Sequence, residues 1–175
     1  RDRLDRAVPV SLYGILATET PDSQHENPQM RYFAANSPED SSMVVRLATA
    51  RSSADQRVLA LLAKDIDPWV RARAMDRLEN VSLLREGLSD GSSLVRVVSG
   101  HQLAVLARMG KQEACEPLQE ASRSGDAYLR WKGAYGLGFC EALPVLLDLM
   151  DDADIDVQRQ AAQSLGRQRN VAEAQ

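Results

Sequence analysis

An aliphatic residue followed by a long basic or amide side chain recurs along this chain. The pairs are Val45-Arg46, Val70-Arg71, Val95-Arg96, Leu129-Arg130 and Val157-Gln158, at spacings of 25, 25, 34 and 28 residues. Four positions after each aliphatic residue stands a small one: Thr49, Ala74, Ser99, Gly133 and Ala161. Eight positions after come Leu78, Leu103, Leu137 and Leu165, with Ser53 the exception. Five before, Asp40, Asp65, Asp90 and Asp152 recur, and Ser124 takes that place in the fourth copy. Positions 0, +4 and +8 share one face of a helix, so each copy contains a helix with an aliphatic, small, aliphatic stripe. The small residue lets a neighbouring helix approach closely. The Asp or Ser ahead of it is placed to cap the free N–H groups of the helix start.

Between these helices lies a second apolar segment in each copy. Examples are Arg57 to Ala63, Val81 to Leu88, Ala114 to Ala121 and Ala142 to Met150, the last with Pro144 in its first turn. Helices this short are not stable alone and need a neighbour on both sides. Paired helices that bury a continuous core only by stacking on the next pair make a solenoid. The pattern predicts helices at about 54–63, 68–79, 81–88, 93–108, 112–122, 126–138, 142–150 and 155–168, with Gly110, Gly125, Gly138 and Gly166 at or near helix ends. No stretch alternates with period two for long enough to argue a sheet.

Composition agrees. Hydrophobic residues make up 44% of the 175, yet aromatics only 5%, as expected if Leu, Val and Ala fill short stacked helices. The chain is too apolar to be disordered throughout, and it lacks the run of about 18 apolar residues that a membrane helix needs. It starts at Arg1 rather than Met and reads as a processed piece of something longer, so a missing targeting segment says little. Residues 1–29 are expected to be an irregular cap or linker, 30–169 the repeat domain and 170–175 a tail. Met30 to Ala35 resembles a degenerate further copy.

The net charge of −4 resides in the last 65 residues, which hold 7 basic and 11 acidic side chains. Net acidity disfavours nucleic acid, whose nonspecific binding depends on Lys and Arg releasing counterions from phosphates. Cys115 and Cys140, without a CxxC pair, read as two free, small, buried hydrophobes, which fits a reducing, cytoplasmic location. With His25 and His101 they give no zinc spacing. Asp152, Asp154 and Asp156 alternate like calcium ligands, but Val157 and Gln163 stand where an EF-hand loop needs Gly and Glu, so the segment reads as an acidic helix start. No metal or cofactor is expected. GxSxG, HExxH and phosphate-loop motifs are missing, and a non-enzymatic chain is expected.

From Asp126-Ala127-Tyr128-Leu129-Arg130 through Leu137-Gly138, and again from Asp154 through Leu165-Gly166, the sequence resembles HEAT-like repeats. The first half, from Val45-Arg46-Leu47-Ala48 to Pro68-Trp69-Val70-Arg71, is similar to the leucine-rich repeat variant, which pairs an α-helix with a short 3₁₀ segment. The resemblance covers residues 30–169. It implies an all-α, right-handed solenoid of about four to five repeats, used as a non-catalytic scaffold that binds another protein along the concave face lined by second helices. Some HEAT-like proteins are bilin lyases, which makes a chromophore-handling role the alternative. DNA glycosylases of the same type make DNA binding a third reading, disfavoured by acidity.

The second helices carry the candidate surface. Their non-core positions read Trp69, Ala72, Arg73 and Asp76; then Leu94, Val97, Val98 and His101; then Tyr128, Trp131, Lys132 and Tyr135; then Asp156, Arg159, Gln160 and Gln163. Both tryptophans and two of the four tyrosines fall in this register, beside basic side chains of the kind that dominate interface energetics. The expected partner-binding residues are Trp69, Arg73, His101, Tyr128, Trp131, Lys132, Tyr135 and Arg159. Against this, the position before each aliphatic pair is apolar in Val44, Trp69, Leu94 and Tyr128, so Trp69 is expected to be partly buried. Exposure of Trp131 and Tyr135 is open. The recurrent Arg46, Arg71, Arg96 and Arg130 read as structural partners of nearby carboxylates rather than as a phosphate-binding ladder.

Overall fold

The computed structural model describes Glu26 and residues 37–172. It comprises two units, Arg1–Ser53 and Ala54–Gln175. The expected cap, Glu26 apart, and the copy expected at Met30 to Ala35 lie outside the described residues. In the first unit, helix α1 (Met43–Ser52) carries the first Val-Arg pair. Its start is fixed by Asp40, whose Oδ1 accepts the Ser42 N–H at 2.8 Å, and by Arg46, whose Nη1 donates to the Asp40 carbonyl at 2.7 Å.

The second unit is built from helix pairs: α2 (Gln56–Leu62) with α3 (Pro68–Met75), α4 (Val81–Gly87) with α5 (Ser93–Arg108), α6 (Cys115–Ala121) with α7 (Ala127–Leu137), and α8 (Leu143–Asp148) with α9 (Ile155–Ala172). First helices pack on their own second helices, and the second helices pack in series, α3 on α5, α5 on α7 and α7 on α9. No strand occurs among the described residues, so the chain is an all-α solenoid. The repeat stripe is its core: Val70, Val95, Leu129 and Val157 are buried, as are Ala74, Ser99, Gly133 and Ala161 at +4 and Leu78, Leu103 and Leu137 at +8. Among the described residues two 3₁₀ turns occur, at Gln112–Ala114 and Leu149–Asp151. They fall in the half that reads as HEAT-like, whereas α2 and α4, in the half that resembles the leucine-rich repeat variant, are α-helical.

Capping differs from the expectation in one respect. The helix caps are the residues at −3, not −5: Asp67 accepts from the N–H groups of Trp69 and Val70, Asp126 from Tyr128 and Leu129, and Asp154 from Asp156 and Val157. The residue at −5 forms the preceding turn, accepting the N–H two residues on, as Asp65 does from Asp67 and Asp90 from Ser92. A carboxylate used in this way still has lone pairs for a second partner. Asp90 takes Arg71 of the previous copy in a two-bond fork, Nε to Oδ2 and Nη2 to Oδ1, both at 2.9 Å. Asp152 takes Arg130 in the same way at 2.7 and 2.9 Å. The hydrogen-bonded guanidinium holds each carboxyl below the usual carboxylate range, and the carboxylates raise both arginines. Arg71 and Arg130 are structural, as expected; Arg96 bonds backbone carbonyls and no carboxylate among the described residues. Asp152 and Asp154 are likewise committed to Arg130 and to the start of α9.

Gly133 shows why the +4 position is small. A Cβ there would lie 2.6 Å from the backbone N of Ser122 and 2.9 Å from the carbonyl O of Leu118, so α6 backbone would have to move. Gly133→Ala is expected to cost a net of about 2 kcal/mol, overpacking outweighing the better helix propensity of Ala; urea unfolding measures it. Gly110 has another reason, a φ of 87° closing α5. The Lys111 N–H bonds the Leu106 carbonyl at 3.0 Å and the Gly110 N–H that of Ala107 at 2.9 Å, a C-cap that favours glycine.

The two cysteines are not free. Cys115 and Cys140 form a disulfide with Cα atoms 5.8 Å apart, which corrects the expectation of two buried thiols. The cause is antiparallel pairing: Cys115 opens α6 and Cys140 follows the end of α7, so a separation of 25 residues spans one helical hairpin and returns to its origin.

Candidate functional site: an aromatic ridge on helix α7

Helix α7 reads Ala-Tyr-Leu-Arg-Trp-Lys-Gly-Ala-Tyr-Gly-Leu. Its inward positions are Leu129, Gly133, Ala134, Gly136 and Leu137, all buried. The glycines let α6 approach until there is no room for a large side chain; a Cβ on Gly136 would meet Leu118 at 2.7 Å. The aromatic residues therefore occupy the other face, at steps of three, four and four: Tyr128, Trp131, Tyr135 and, just beyond the helix, Phe139.

These four rings form a continuous row. Tyr128 and Trp131 have centroids 5.9 Å apart, Trp131 and Tyr135 6.1 Å, both near parallel, and Tyr135 meets Phe139 edge-on at 5.6 Å. Such contacts suit the ring quadrupoles. Two cations lie over the row: the Lys132 ammonium is 5.3 Å from the Tyr128 centroid and 4.9 Å from that of Trp131, while the Arg167 guanidinium is 5.0 Å from Tyr135 and 5.2 Å from Phe139. Tyr128 is 52% exposed and the other three rings are half-buried.

Lys132 Nζ also lies 3.3 Å from Nδ1 of His101 on α5, a bond in which a neutral imidazole accepts from the ammonium. Burial, then the Lys132 charge, lowers the pKa of His101, with Asp76 opposing. The neutral ring is thereby favoured at neutral pH. Acid that protonates it places two cations side by side and weakens this link between α5 and α7.

Residues 81–166 match the family model for HEAT repeats. This stretch is built of HEAT-like repeats. An X-ray structure of YibA from Escherichia coli is similar over 97% of this chain, with a TM-score of 0.59 and 16% identity, a likeness of fold alone. The chain spans 66% of the length of that structure. No curated protein matches the sequence.

Within the HEAT-like stack, the expected surface residues separate into groups. Tyr128, Trp131, Lys132 and Tyr135 come together on α7, and Lys132 brings in His101. Trp69 is 63% exposed on α3, so its expected partial burial is overturned, and Val44 at the same register is 53% exposed. The residue before the buried aliphatic position is turned about 100° from it around the helix, which carries Trp69 and Val44 off the core face. Arg73 pairs with Asp76 at 3.1 Å on α3, and Arg159 with Asp156 at 2.7 Å on α9. Ala72 and Gln160, in the same expected surface register, are buried. Phe139 and Arg167 were missing from the expected set. Phe139 was legible as the next step of four after Tyr135; Arg167 needed the packing of α9 on α7.

Among the described residues, no helix is long and apolar enough to cross a membrane, and no cluster of His, Cys, Asp and Glu could hold a metal ion.

Proposed function

We propose that this protein is a non-catalytic interaction scaffold that binds another protein along its second helices, with the α7 ridge as anchor. The supporting observation is the unbroken row of Tyr128, Trp131, Tyr135 and Phe139, partly open to solvent and flanked by Lys132 and Arg167. Aromatic side chains lose little conformational entropy on binding, and those already ordered by stacking lose less. Trp69, Arg73, His101 and Arg159 extend the surface onto α3, α5 and α9. HEAT repeats generally serve protein–protein interaction, which agrees.

The test is affinity capture followed by titration of the captured partner. Trp131→Ala and Tyr135→Ala are each expected to weaken binding about thirtyfold, as for an interface residue worth 2 kcal/mol, with the helical circular dichroism unchanged. Loss of the fold in both variants, or full binding by both, sinks the ridge. A chromophore-handling role draws less support, because neighbouring rings are in contact and leave no slot between them for a flat molecule; a spectral shift on adding bilin would revive it.

Location is read from the disulfide rather than from the helices. A cytosolic thiol pool keeps such pairs reduced in most organisms, so the bond weighs for an oxidising compartment and against the cytoplasmic location expected from unpaired cysteines. Thiol labelling of the chain taken directly from its cells decides between them.

A further inference from the structure

We propose that Arg96 is an open socket for a carboxylate, filled by an aspartate or glutamate side chain of a partner polypeptide. The same guanidinium occurs at successive junctions, and its work is divided in two. In Arg71, Nη1 donates to the carbonyls of Asp65 and Ile66 at 2.8 and 3.0 Å, which fixes the plane of the group. In Arg130, Nη1 does the same with Ser124 and Gly125 at 3.0 and 3.3 Å. The remaining edge, Nε with Nη2, then takes both oxygens of the −5 aspartate in the next copy, Asp90 or Asp152.

Arg96 has the first half of this arrangement. Its Nη1 donates to the carbonyls of Asp90 and Gly91 at 2.8 and 3.3 Å. The −5 residue of the next copy is Ser124. Serine preserves every other duty of the position: its Oγ accepts the Asp126 N–H at 3.1 Å, as the aspartates accept theirs, and its carbonyl takes Arg130. Only the carboxylate is gone. Its single oxygen is already engaged, and no acidic side chain bonds Arg96 among the described residues. A half-buried guanidinium, oriented by two carbonyls and presenting a free two-donor edge, is matched in shape and charge by a carboxylate.

The twin junctions show the geometry that an occupant adopts, an aspartate side chain borne on polypeptide. That is why a partner chain, rather than a free anion, is assigned. The socket does not depend on the α7 ridge, and the two are tested separately.

The experiment follows the Arg96 Nε–H resonance of the full chain by ¹⁵N NMR, assigned by its loss in Arg96→Lys. Two probes are titrated separately, a capped hexa-aspartate peptide and inorganic phosphate. The peptide is expected to shift this resonance saturably and to bind more tightly than phosphate. Ser124→Asp, which supplies the missing carboxylate in cis, is expected to move the resonance toward those of Arg71 and Arg130 without any peptide and to weaken the peptide about tenfold, the worth of one charge-assisted pair. Ser124→Ala is expected to leave peptide binding unchanged. Should Ser124→Asp not fold, Arg96→Gln must show the tenfold loss instead. The proposal is overturned if the Arg96 resonance does not shift at millimolar peptide, if phosphate binds as tightly as the peptide, or if the folded Ser124→Asp or Arg96→Gln chain binds the peptide like the wild type.

Discussion

Reducing the Cys115–Cys140 bond is expected to lower the free energy of unfolding by about 3.5 kcal/mol, the loop-entropy value for a closed loop of this length. The loop holds α6 and α7 complete, so the bond restrains the unfolded chain across one entire repeat. For a chain of this size the loss corresponds to a fall in Tm of roughly 7–14 °C. Urea melts with and without dithiothreitol measure it. Cys115→Ser should reproduce the loss and abolish the effect of reductant. The native helical signal should survive reduction at room temperature, because α7 remains packed on α5 and α9. A melt indifferent to reductant in the wild type would mean that the thiols are unpaired in solution and would remove the argument for an oxidising compartment.

The repeat made the solenoid legible because the aliphatic, small, aliphatic stripe is a direct image of the core: Val70, Val95, Leu129 and Val157 are each nearly or completely buried. The roles of Arg71 and Arg130 were legible for a similar reason, since a residue locked to the repeat period beside period-locked carboxylates has a repeated partner. What could not be read was whatever depends on how helices meet. The disulfide is the sharpest case. Two cysteines 25 residues apart look unrelated along the chain and become neighbours only when α6 turns back on α7. Trp69 is another: an apolar residue before the core position looked half-buried, but it lies about 100° around the helix from buried Val70 and is 63% exposed. Four members of the ridge were within reach of a helical wheel. Arg167 was not, because its place over Tyr135 and Phe139 comes from α9 packing on α7. Ser124 stood out in the alignment only as a variant; its meaning required seeing what Asp90 and Asp152 do.

Asp152→Ala should cost about 3 kcal/mol at neutral pH, since it leaves the Arg130 edge unpaired in a site where the carboxylate side chain is 7% exposed and the arginine 17%. The loss has a definite pH signature. The pKa of Asp152 is lowered in the fold, chiefly by its hydrogen bonds from Arg130, so its contribution is complete above the ordinary carboxylate value of 3.8 and vanishes as pH falls through the lower folded value. Wild type and variant should therefore differ fully at pH 7 and converge toward pH 2, when each is unfolded by urea across that range. A difference that persists in acid would assign the loss to the turn, where Asp152 also accepts the Asp154 N–H, rather than to the ion pair. Asp90→Ala should follow the same curve, because its carboxyl is lowered by Arg71 for the same reason. The two forks share no partner, so their losses should add to within about 0.5 kcal/mol. Additivity would mean that each junction holds its neighbours independently, which is the condition under which one junction, at Arg96, can be left open without unfolding the stack.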